Sequence, residues 1–247
     1  MHDDRSPILT LAPATTRLTA TVNRMQMRDL RAEIAARTDD LAKHPFLAGL
    51  ERSEDAADLE RIIPQLYFWV FSFQDVLRLS ESRVRDPELK AIASTHRAED
   101  AGHERWFVDD ARVLDAERTV PWIFGSEHQL TRDTSYEMVA EVLHTDDDRI
   151  RLVLPLVLEA IGSVFFPRVV GLVERAGIGA DLKYFARSHQ DVEAGHDLFT
   201  DGTQSRLDDI EFDAGTYTKA VEAVDRCFHR ARRLASHLEA HRTQSEA

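Results

Sequence analysis

Apolar residues recur three or four positions apart along most of the chain, the spacing of one helix face, and strict alternation is rare. Ten glycines and eight prolines leave long uninterrupted stretches, so the pattern predicts an all-α fold. A first helix is expected from about Leu18 to Ala42, with Leu18, Val22, Met25, Leu30, Ile34 and Leu41 as a broken apolar stripe ending at His44-Pro45. A second, capped by Ser53 or Asp55, runs through Leu59, Ile62, Leu66, Val70, Phe73 and Leu77. Its middle is apolar on nearly all sides, which marks a buried central helix. A third begins near Asp86-Pro87 and continues through Ile92, Trp106, Val108 and Val113. Arg118 to Arg132, with Pro121 and Gly125, is the main irregular segment. Helix resumes at Asp133 or Thr134 and reaches His144; further helices span about Asp148 to Ala176, stopped by Gly177, Asp181 to Thr200, and Thr216 to His241. The pattern therefore gives about seven helices in one domain over 17–241, between a flexible segment 1–16 and a fraying tail 242–247.

Composition narrows the function classes. A chain of 247 residues buries a sizeable core without a disulfide or structural metal. Cys227 is its only cysteine, which excludes an internal disulfide, a CxxC pair and a Cys-rich zinc knuckle, and points to a reducing, cytoplasmic setting. The formal charge of −13 argues against a nucleic-acid partner, since sequence-independent binding depends on Lys and Arg at phosphates. The opening MHDDRSPILTLAPATTR, with Asp3, Asp4, Pro7 and Pro13, lacks the layout of a signal peptide. No run is expected to approach the ~18 apolar residues of a membrane span, so no membrane partner is expected either.

Two segments carry candidate chemistry: His96-Arg97-Ala98-Glu99-Asp100-Ala101-Gly102-His103-Glu104 and His189-Gln190-Asp191-Val192-Glu193-Ala194-Gly195-His196-Asp197. They share the pattern H-x3-[DE]-A-G-H-[ED] at an offset of 93 residues. On a continuous helix, positions i, i+4 and i+7 fall within about 60° of one another, so each segment projects two imidazoles and a carboxylate from one stripe. One such pattern would arise by chance in roughly one chain in ten of this composition; two copies sharing Ala-Gly carry far more weight. The glycine, costly by up to ~1 kcal/mol in a helix interior, suggests close helix approach. Each segment follows a nearly all-apolar helix containing a proline, Pro64 or Pro155, themselves 91 apart. The chain is thus expected to fold as two related helix pairs about a pseudo-twofold axis, with the two stripes face to face, as in carboxylate-bridged di-iron and di-manganese bundles. Glu159, the only acid between Arg151 and Glu174, needs a cation or another partner if buried. Imidazole and carboxylate without thiolate suit iron, the first choice, or manganese; zinc is compatible by ligand type.

His189-x3-Glu193-x2-His196, Glu159 one helix earlier, and Lys43-His44-Pro45-Phe46 before a Tyr/Phe-rich central helix resemble the haem-oxygenase-like di-metal oxidases and oxygenases. The resemblance covers about residues 40 to 200. It implies a seven-helix haem-oxygenase-like fold and two metal ions, most simply iron, with dioxygen as co-substrate. It also implies a small, partly apolar organic substrate, with a homodimer as a family-level expectation. Carried over, it makes His189, Glu193 and His196 ligands from one helix, Glu159 a bridging or terminal ligand, and His103 with a neighbouring acid the ligands of the first half. Two departures stand out. The family glutamate on the first central helix has no counterpart, Gln65 or Tyr67 being the nearest polar residues. The third helix offers His96 and a choice of Glu99 or Asp100 where the family often has one glutamate followed by histidine. The candidate metal residues are therefore His96, Glu99, Asp100, His103, Glu159, His189, Glu193 and His196.

Other readings stand beside this one: a metal-poor or cofactor-independent, thiaminase-like small-molecule binder of the same fold, or a metal-storage or metal-sensing bundle. Glu159 could instead pair with an arginine such as Arg168. Asp191, Glu104, Asp197, Asp109 and Asp110 read as surface acids or as partners that orient imidazoles. Tyr67, Phe68, Trp69, Phe71 and Phe73 read as core, with a pocket lining as the alternative. His44 and His144 read as cap or surface residues, His229, His237 and His241 as solvent-exposed, and Cys227 as a small buried apolar residue.

Overall fold

Two aspartate caps start the helices that organise the molecule. The Asp55 carboxylate accepts the Ala57 N–H at 3.0 Å, and Asp147 accepts that of Arg149 at 2.9 Å, each satisfying a first-turn donor the helix cannot. The helices they open run Ala56–Arg83 (α3) and Asp148–Ala176 (α8), with Pro64 and Pro155 inside them and Gly177, at φ +71°, ending the second. The computed structural model describes residues 25–194 and 201–244, apart from the side chains at 193, 194 and 201–203. The other helices are α1 (Met27–Leu41), α2 (Pro45–Arg52), α4 (Pro87–Glu99), α5 (His103–Val113), α6 (Val120–Ile123), α7 (Gln129–His144), α9 (Arg187–Ala194), α10 (Asp201–Asp208) and α11 (Ala214–Arg242). Among the described residues, seven of these are eleven residues or longer, although the predicted third helix accounts for two of them and the one predicted from Asp181 for none, and the fold is all-α, as the periodicity predicts, apart from one two-residue ladder. Leu59, Ile62, Leu154, Val157, Val224 and Phe228, from α3, α8 and α11, meet in one continuous apolar core.

Four boundaries differ from the sequence reading, each for a local reason. The first helix starts at Met27 because Met25–Gln26 (β1) is extended and pairs antiparallel with Glu211–Phe212 (β2), while Asp29 accepts the Gln26 N–H. The expected turns over 18–24 lie outside the described residues. The third helix is broken at Asp100–Gly102, with Gly102 at φ +100°. That backbone strains any other L-residue, and a Cβ there would touch nothing within 4 Å. The glycine is required by the left-handed turn and not by close helix approach. The supposedly irregular 118–132 contains α6 and a 3₁₀ turn (Ser126–His128) that runs directly into α7. Arg132 bonds the carbonyls of Ile123 and Gly125 there, so helix begins before Asp133. The helix expected from Asp181 starts instead at Arg187, because the Lys183 and Phe185 N–H groups are taken by Asp110.

α8 also departs from expectation: an 18-residue window reaches a mean hydropathy of 1.8, enough by length and composition to cross a bilayer. In the fold it packs against α2, α3 and α11. Its less buried stretch, 159–167, borders an apolar cavity that is partly open to solvent, and Ser163 and Pro167 are exposed.

Candidate metal centre

The α4–α5 break turns one expected stripe into a corner. His96 lies in the last turn of α4, Asp100 is its C-cap, and His103 opens α5. Gln74 on α3 donates to the Asp100 backbone carbonyl at 2.9 Å and holds the corner in place. From α8, Glu159 brings Oε1 to 2.7 Å from His96 Nε2, while Asp100 Oδ2 stands 3.0 Å from the same nitrogen. The three donor atoms lie within 4.8 Å of one another, and His96 and Asp100 are buried. Arg168, the alternative partner for Glu159, bonds the Val164 carbonyl instead, at 2.7 Å.

Two carboxylate oxygens face one ring nitrogen that carries at most one hydrogen. Glu159 takes it, which leaves Asp100 Oδ2 buried without a hydrogen bond. Burial disfavours charge on His96, but the two carboxylates of Asp100 and Glu159 against its ring outweigh it and push the imidazole up from 6.5 to about 10. A proton on His96 thus sits where a cation would: a buried oxygen lacking a donor beside another carboxylate and an imidazole, the two edges to His96 at 2.7 and 3.0 Å being near the ~3 Å expected of ligands to a metal at about 2.1 Å.

The second motif meets the first here. His189 on α9 is buried, and its Nε2 lies 3.3 Å from His103 Nδ1. Its own Nδ1 donates to the Tyr184 carbonyl at 2.7 Å. Among the predicted residues the structure therefore gathers His96, Asp100, His103, Glu159 and His189. Glu99 is the last residue of α4 and half-buried. Glu193 lies on α9, but its side chain, like His196 altogether, is outside the described residues.

Asp100, His103, Glu159 and His189 line a cavity of about 340 Å³. Its walls are apolar: Phe46 and Leu47 of α2, Leu66, Trp69, Val70 and Phe73 of α3, Val164 to Pro167 of α8, and Leu234 and Leu238 of α11. No lysine or arginine is among the described residues that line it. Trp69 and Phe73 are thus lining, Tyr67 is core against Phe107 at 4.9 Å, and Phe71 is exposed. The cavity face of α3 presents Gln74 as its polar residue. The sequence reading missed it, although Leu66, Val70, Phe73 and Gln74 keep helical spacing. Gln65 points elsewhere, accepting from His128 Nδ1 at 2.8 Å and His237 Nε2 at 3.3 Å. His237, expected at the surface, is half-buried there; burial and the neighbouring His241 and His128 push it down to about 4. His44 caps α2, accepting the Phe46 N–H. Cys227 is fully buried away from the cavity lining, and burial pushes its thiol up to about 12, so it is no nucleophile.

The chain resembles, over 87% of its length, the crystal structure of a domain of unknown function with a haem-oxygenase-like fold from Shewanella denitrificans OS217. The two share a TM-score of 0.65 and 14% identity, and 93% of that domain is covered. The likeness establishes a haem-oxygenase-like fold. No family model matches the chain, and no curated protein does.

Proposed function

We propose that this protein is a non-haem di-iron oxygenase or oxidase that uses dioxygen on a small, partly apolar organic substrate, with manganese as the other candidate metal. One observation carries the reading: His96, Asp100 and Glu159 converge beside an apolar cavity that His103 and His189 also border. In this reading His96, Asp100 and Glu159 hold one ion. His103 and His189, with Glu193 and His196 from the second motif, serve the other. Glu99, the other acid of that corner, is the alternative to Asp100 as the carboxylate of the first half. Bound iron supplies the electrons that reduce dioxygen. The protein's own part is to fix the imidazoles and carboxylates, to keep water from the reacting atoms with Phe46, Trp69, Phe165 and Phe166, and to hold substrate against them. A cytoplasmic setting without nucleic-acid or membrane partners accords with the single cysteine and the −13 charge.

The test is anaerobic loading with ferrous iron, metal analysis, and rapid mixing with dioxygenated buffer. Two irons per chain and a transient visible absorption are expected. His96→Ala and Glu159→Ala should each lose at least one ion. Failure of the wild type to retain iron refutes the proposal in favour of a metal-poor binder. Steady iron uptake well beyond two per chain would indicate storage.

A further inference from the structure

α5 turns one face inward, and three residues on that face grip the segment leading into α9. His103, Phe107 and Asp110 stand at i, i+4 and i+7, and all three are buried. His103 meets His189. Phe107 packs edge-on against Tyr184 and Phe185, with ring centroids 5.5 and 6.0 Å apart. The Asp110 carboxylate accepts the Lys183 N–H at 2.7 Å through Oδ1 and the Phe185 N–H at 2.9 Å through Oδ2.

The Phe185 N–H and the Tyr184 C=O belong to the same peptide unit. The peptide is planar and trans, so its N–H and C=O point in opposite directions. With the N–H fixed on Asp110, the carbonyl is aimed the other way, and it accepts from His189 Nδ1 at 2.7 Å. The chain of contacts is carboxylate, peptide, imidazole. Each hydrogen bond polarises the next, so negative charge on Asp110 strengthens the Tyr184 carbonyl as an acceptor and enriches His189 Nε2 in electron density. Metal-binding histidines commonly rest their second nitrogen on a carboxylate or a carbonyl for the same purpose. Here the carboxylate acts at one peptide's remove.

Resting on the proposed metal centre, we propose that Asp110 is its positioning residue, a buried carboxylate that sets the tautomer and orientation of His189 through the Tyr184–Phe185 peptide. Asp110 itself binds no metal. It ties His103 and His189 into one unit, since His103 stands on α5 and His189, on α9, is bonded to the peptide that Asp110 of α5 holds.

Asp110→Asn tests this, because the amide keeps the volume but removes the charge and turns a donor toward one of the two N–H groups. Imidazole ¹⁵N shifts of the metal-free protein should show His189 as a single Nδ1–H tautomer in the wild type and as a mixture in Asp110→Asn. Affinity for Mn²⁺ should fall about tenfold or more in the variant. Val142→Ala, a cavity in the core on α7, serves as the stability control and should change neither. A fallback needs no variant: binding of Zn²⁺ to the wild type should shift the Phe185 amide proton, the far end of the relay, and leave that of Val142 in place. An unchanged tautomer and affinity within twofold in Asp110→Asn would overturn the inference, as would a Phe185 amide that ignores Zn²⁺ on a protein that binds it. If the wild type binds no divalent ion, the metal centre fails as a reading, while the tautomer measurement still decides the role of Asp110.

Discussion

Metal affinity should rise steeply with pH, because a cation entering the centre must displace the proton on His96. The buried imidazole, between Asp100 and Glu159, is pushed up to about 10. At pH 7 it lies three pH units below that value, and at about 1.4 kcal/mol per unit the retained proton opposes metal binding by about 4 kcal/mol, or about a thousandfold. Anaerobic Mn²⁺ titrations between pH 7.5 and 9 should show affinity rising about tenfold per pH unit. Calorimetry in buffers of different ionisation enthalpy should show about one proton released per ion bound. Glu159→Gln removes one of the two charges that raise His96, so its slope should flatten whatever happens to its absolute affinity. The same proton stabilises the metal-free fold. Its folded value lies above the unfolded 6.5, so the contribution is complete below pH 6.5 and is lost as pH climbs toward 10. Metal-free protein should therefore melt at progressively lower temperature over that window. A pH-independent Mn²⁺ affinity in the wild type, with no proton released, would refute the reasoning.

Three further outcomes follow from geometry already described. Gly102→Ala should lose about 1–2 kcal/mol in urea unfolding, since φ +100° and not crowding forbids a side chain there, and Gly102→Asn should recover part of it. Cys227 should resist thiol reagents in the native state and react fully only in denaturant, because the thiol is fully buried and pushed up to about 12. His237 is held below its unfolded value, at about 4, so the fold should lose stability as pH falls from about 6.5 toward 4. His237→Gln should make that acid limb shallower in thermal melts.

Long elements were legible because their ends carry chemistry: Asp55 and Asp147 cap, Gly177 stops, and the apolar period between them needs no tertiary help. The meeting of His96, Asp100, His103, Glu159 and His189 was legible from the repeat and from one isolated acid in an apolar helix. The geometry that unites them was not. A helical wheel puts His96, Asp100 and His103 on one stripe of a single helix, whereas they meet across a left-handed turn that periodicity cannot register, since Ala101 and His103 suit either form. Asp110 could be read only as a surface acid or an orienting partner. Its partners are backbone N–H groups some 75 positions away, and main-chain donors leave no mark in side-chain pattern. Gln65 looked like a vacancy in the ligand set because only the rotation of α3 shows it turned toward His128 and His237.

The cavity draws its chemistry and its shape from different stretches of the chain. The imidazoles and carboxylates of the candidate centre come mainly from the α4–α5 corner, α8 and α9, whereas Leu234 and Leu238 on α11 and Val164 to Pro167 on α8 give the cavity its contour. Substitutions on α11 can therefore recut the mould for a new substrate while the corner stays intact, which makes these positions the place to begin altering selectivity. With no lysine or arginine among the described lining residues, the fixed cations that would pair with a ligand anion are missing from those walls, and the imidazoles of His103 and His189, or an ion bound at the proposed centre, would have to serve. If the proposed centre binds an ion, anionic ligands should bind the loaded protein more tightly than the metal-free one, whereas neutral ligands should distinguish the two far less.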